Sequence, residues 1–172
     1  MHRPDEIPNT ERPIESDLTP WVMSRIRGAS RLIDVYGVWP SFEDAEIVSV
    51  ALDRGNHQEV VVTRNWAARV PPSLTAKVIV FDARYGDVPK RKYRLVTLRF
   101  IGISRFNMSL FGDQNPVMGI GLRAESPADT GAGPNLRVQW GGTVMGHEAD
   151  FICESIDVQS VEPFDPAESP SS

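Results

Sequence analysis

Two periodicities divide this chain. From Trp21 to about Tyr36 the apolar positions Val22, Ile26, Ala29 and Ile33 recur at helical spacing, and Arg25, Arg27 and Arg31 cover the other side. Thr19 reads as the N-cap, Pro20 as the first helical residue and Gly37 as the C-cap. From Ile47 onward the period drops to two. Alternating stretches fall at Ile47–Leu52, Glu59–Thr63, Thr75–Phe81, Tyr93–Ile101, Phe106–Phe111, Val117–Leu122, Leu136–Trp140 and Glu148–Val161. The first two are joined by Asp53-Arg54-Gly55-Asn56, which has turn chemistry and makes them the best hairpin candidate. Gly119 and Gly121 interrupt their strand and suggest a bulge. The expected fold class is α+β, an N-terminal helix packed on a curved or two-layer, mostly antiparallel β-sheet. A doubly wound parallel sheet would need helices between the strands, and the pattern holds none.

Composition adjusts this picture at the ends. Residues 1–18 are proline-rich and polar and read as a mobile arm, residues 19–162 as one domain, and residues 163–172 as a disordered tail. The net charge of -5 belongs to those ends. Residues 1–19 hold five acids against two bases, and residues 162–172 hold three acids and no base, so the middle is nearly neutral. The lone Cys153 cannot form an internal disulfide and suits a reducing cytoplasm. No apolar run is long enough to span a membrane, and the N-terminus lacks a secretory h-region.

Candidate chemistry is sparse. Between the helical and alternating regions lies Trp39-Pro40-Ser41-Phe42-Glu43-Asp44-Ala45-Glu46-Ile47. Trp39 and Phe42 read as core plugs, Pro40 and Ser41 as the turn that sets strand entry, and Asp44 as a turn cap. Carboxylates as close as Glu43, Asp44 and Glu46 can share acid and base roles or hold a hard cation, but adjacent strand residues face opposite ways. A metal-dependent hydrolase would draw on Glu43, Asp44, His147 and Glu148, yet His147 lacks a second histidine one helical turn on. No nucleophile-elbow or phosphate-loop pattern occurs. No cofactor or metal is expected. The basic run Lys90-Arg91-Lys92-Tyr93-Arg94 could bind nucleic acid with Tyr93 and Phe100 interleaved. Against that, Glu148, Asp150, Glu154 and Asp157 offer it partners within the chain.

The string Gly37-Val38-Trp39-Pro40-Ser41-Phe42-Glu43-Asp44-Ala45-Glu46-Ile47, with its strand ending Leu52-Asp53-Arg54, resembles the opening of the immunity protein 50 family of bacterial polymorphic-toxin systems. Phe151 to Pro163 resembles that family's closing strand. The resemblance implies a cytoplasmic, non-catalytic protein that binds and neutralises a cognate protein toxin. Candidate contacts are Glu43, Glu46, Asp113, Asp129, Glu154 and Asp157. Long edge strands would also allow a homodimer. The family's opening usually reads Ser-Phe-His-Asp, and Glu43 stands where that histidine is expected, a change that suits a binder better than an enzyme.

Overall fold

The computed structural model describes residues 18–55, 70–81, 93–109, 116–117, 119–125, 134–141 and 148–165. The expected strand at 59–63 lies outside these residues, as do most of the arm and the tail. The described chain is mostly strand, with two short helices, α1 (Pro20–Ser24) and α2 (Ser30–Tyr36). The strands are β1 (Ile26–Arg27), β2 (Ala45–Asp53), β3 (Ser73–Val80), β4 (Arg94–Ile101), β5 (Ser104–Ser109), β6 (Pro116–Val117), β7 (Gly119–Glu125), β8 (Asn135–Gly141), β9 (Glu148–Cys153) and β10 (Ser155–Pro163). They form two sheets that do not close into a barrel. The first has the order β1-β10-β4-β3-β2-β6 and the second β5-β9-β8-β7. All pairings are antiparallel except the short one between β1 and β10.

The single N-terminal helix is a correction, and so is the α+β class built on it. Its two ends form as expected: the Thr19 hydroxyl accepts from the Val22 N–H, and left-handed Gly37 donates to the Ile33 carbonyl. In between, the helix breaks. Gly28 takes φ 72°, and a Cβ there would lie 2.9 Å from the Val158 carbonyl oxygen. Only glycine allows this left-handed turn and close approach together. The extended pair Ile26 and Arg27 then lies beside Ile156 and Asp157. A paired sheet edge here outweighs the helical period, since an open edge would leave a row of unbonded peptide groups. The helices do not form a layer on one sheet face: α1 lies against β7 of the second sheet and α2 against β10 of the first.

One two-stranded ribbon joins the sheets. β4 runs into β5 and β9 into β10, and the register carries through the corner unchanged. Ile101 faces Ser155 on one side, and Ser104 faces Ile152 on the other. At the corner Gly102 has φ 74°, and the Gly102 and Ile103 N–H groups both donate to the Pro72 carbonyl. The long strand expected over Glu148–Val161 is therefore two strands bent at Glu154. The inner faces share one core. Phe100 of the first sheet meets Trp140 and Phe151 of the second, with ring centroids 5.9 and 5.0 Å away. Each such ring removes a large apolar area from water, which makes this cluster the main bond between the sheets.

Candidate functional site

The turn before β2 is built on apolar burial. Trp39 and Phe42 are buried with ring centroids 5.6 Å apart, and Pro40 is buried beside them. The Ser41 hydroxyl accepts from the Glu43 N–H, and the Phe42 carbonyl accepts from the Ala45 N–H. The Ser41 carbonyl accepts from the Ile120 N–H, which ties the turn to β7. Phe42 and Asp44 both hold positive φ, 60° and 58°, a conformation costing an L-residue about 1–2 kcal/mol. Complete burial of the Phe42 ring more than offsets this cost. Trp39, Pro40 and Phe42 are thus turned inward, and Ser41 supplies hydrogen bonds that shape the turn. Glu43 is half-buried, while Asp44 and Glu46 are exposed, with Glu46 between Ile79 and Pro116 in the ladder.

The other candidates scatter. Glu154 sits exposed at the ribbon corner, its side chain across from Gly102. Asp157 is 4.0 Å from Arg27 at the surface, an ion pair that solvent leaves with little value. Two strands, β4 and β3, separate Asp157 from the strand that carries Glu46. Asp113, Asp129, His147 and Lys90–Lys92 lie outside the described residues. Of the hydrolase set, Glu148 begins β9, and β8 and β7 stand between it and the turn holding Glu43 and Asp44. At ordinary strand spacing that is roughly 14 Å, too far for these carboxylates to share one ion. The Arg94 guanidinium donates to the Tyr93 carbonyl, and Arg99 faces Asp157 across the β4–β10 ladder while donating to Ser73.

Sequence reading missed the most organised polar site. On the outer face of the second sheet, Arg137 of β8 lies across from Ile152 of β9 and Arg123 of β7. Its Nε donates to Asp150 Oδ1 at 2.9 Å and its Nη2 to Asp150 Oδ2 at 2.6 Å, a two-pronged pair. Gln139 donates to the same carboxylate. These bonds to Arg137, reinforced by its charge, hold the Asp150 carboxyl below its ordinary value of 3.8 against the opposing effect of desolvation. The remaining prong, Arg137 Nη1, is 3.9 Å from Glu125 Oε1, and the Glu125 side chain is only 8% exposed. A bulge in β5 between Ser104 and Asn107, with Arg105 at φ 51°, bends that strand beside this face. A groove of about 310 Å³ is lined by Arg105, Phe106, Asn107, Glu125, Arg137, Asp150 and Ile152. The one sequence signal for it was the alternation that puts 137 and 139 on the outward side of β8; the partners across the ladder needed the register.

Among the described residues, no group of three histidine, cysteine or carboxylate side chains is placed to hold a metal ion, and no helix is long and apolar enough to cross a membrane. The buried Cys153 thiol is pushed up to about 12 by desolvation and by neighbouring Glu154, so it is a core side chain without nucleophilic character at neutral pH.

A family model described as immunity protein 50 matches residues 28–164. The chain belongs to the immunity protein 50 family. No curated protein and no solved structure matches it. The family match begins at the Gly28 turn and runs through α2 and from β2 to β10, with the Trp39–Ala45 turn and the groove both inside it. Only α1 and β1 of the described elements precede the part that the immunity protein 50 model covers.

Proposed function

We propose that this protein protects its cell by binding a cognate protein toxin one-to-one, without catalysis, and so blocking the toxin's active site or its approach to substrate. The observation that carries this reading is the immunity protein 50 match, which spans the two-sheet body rather than a short motif. The architecture suits the task. A core of interlocked rings from both sheets gives rigid outer faces, and a rigid face loses little entropy when a partner docks. A net charge of -5 draws a basic toxin at long range, an effect that salt weakens. We assign the protein to the cytoplasm, where its free thiol remains reduced.

Two surfaces compete for the toxin: the acidic turn with Glu43 and Glu46, and the groove around Glu125. The test is co-expression with the toxin that this protein accompanies, scored by survival and by the mass of the purified complex. A one-to-one complex and full protection are expected, and continued killing with both proteins present would reject the reading. Glu43→Lys combined with Glu46→Lys then reports on the turn. Protection that survives this pair unchanged removes the turn from the interface.

A further inference from the structure

We propose that the groove on the outer face of the second sheet is a receptor for one basic side chain, arginine or lysine, presented by the toxin. The inference rests on the neutralisation reading for the identity of the partner, but its chemistry stands on the groove itself.

The argument starts from Glu125. Its carboxylate lines the groove and is more than nine-tenths buried, so its charge needs a close cation. The nearby cation is Arg137, but two of its three donor positions are held by Asp150 at hydrogen-bond distance. What faces Glu125 is the third, at 3.9 Å, the outer limit of an ion pair. Two carboxylates therefore share the Arg137 guanidinium, and the shorter contacts all go to one of them. A second guanidinium or ammonium entering the groove would meet the less satisfied of the two, beside a carboxylate whose side chain is only 8% exposed.

The rest of the lining fits the stem of such a side chain. Phe106 and Ile152 offer apolar wall to methylene groups, and Asn107 offers an amide oxygen near the mouth. A groove of about 310 Å³ has room for a long side chain. Arg105 and Arg123 also carry positive charge on this face; both are exposed, and Arg123 adds its charge to the hold on Asp150.

The test uses the full chain, labelled for NMR, and titrates N-acetyl-arginine amide, with N-acetyl-glutamate amide as the opposite-charge probe. Expected are saturable shifts at Glu125, Asn107 and Arg137 with the arginine probe, at about millimolar affinity, and at least tenfold weaker binding in Glu125→Gln. Asn107→Trp, a change on an exposed strand position that fills the groove, should abolish the shifts while leaving the rest of the spectrum in place. Equal binding in Glu125→Gln, preference for the glutamate probe, or no saturable shift in the unaltered protein would each overturn the proposal. The probe needs no toxin. Probe binding without any neutralisation would sink the immunity mechanism and leave the groove as a basic-side-chain site; neutralisation without probe binding would do the reverse.

Discussion

The turn at Trp39–Ala45 and the groove at Glu125 show two ways of building a surface feature. In the turn, the rings go inward and the carboxylates outward. Its backbone strain at Phe42 and Asp44 is tolerated because apolar burial of Phe42 is worth more. In the groove a carboxylate goes inward, and its position depends on a guanidinium that also serves Asp150. The turn is held by area, a quantity indifferent to pH and salt. The groove is held by charge, which is sensitive to both. A turn of the first kind can lose a carboxylate and keep its shape, whereas removing the Arg137 charge leaves two carboxylates of the groove without the cation they contact.

The largest effect that sharpens this contrast is Phe42→Ala, which should cost about 3–5 kcal/mol in a denaturant titration of the full chain. The cost should be the same at low and high salt; a loss below about 1 kcal/mol would mean that the ring does not plug the core. Next comes Arg137→Met, which keeps the apolar stem but strips both carboxylates of their cation. It should cost about 2 kcal/mol at neutral pH and less under acid conditions, where the carboxylates are protonated. An equal cost at both pH values would show that packing rather than charge is what Arg137 supplies. The smallest effect is Asp150→Asn, since the Asp150 side chain is 38% exposed and its ion pair is partly screened. Because the folded carboxyl titrates below its ordinary value of 3.8, its stabilisation is present above that value and is lost as pH falls through the folded one. Asp150→Asn should therefore flatten the acid limb of the stability curve below about pH 4 and leave the alkaline limb unchanged.

What could be read ahead of the structure follows the same division. Alternation located the longer described strands, though not β1 or the break between β9 and β10, because inward residues such as Val78, Val96 and Phe151 are apolar and fall every second position. Thr19-Pro20 and Gly37 marked the helical ends through local bonds within four residues. The break at Gly28 was not legible because it depends on Val158, far along the chain. Glu154 was hidden in the same way, since its bend answers to Gly102 on another strand. The groove was the least legible part. Its charges lie on β5, β7, β8 and β9, and each looks like an ordinary solvated residue until the register puts Arg137 beside Asp150. Asp150 was offered to the Lys90–Arg94 run as a partner; its actual partner, Arg137, sits on the next strand. The carboxylates singled out as contacts are conspicuous because they cluster in sequence, which is a different property from converging in space.

The pairing of Ile26 with Ile156 has a consequence for the order in which the protein takes shape on the ribosome. Ile26 must wait for a partner made about 130 residues later, and β4 waits for the same strand. At translation speeds of about 5–20 residues per second, that interval is roughly 7–26 s. During it β1 and one edge of β4 lack the strand that will cover them, and the nascent chain offers them to any competing strand. A premature stop before Ser155 would make that exposure permanent, so shortened products should be removed by proteases rather than accumulate as half-formed sheets.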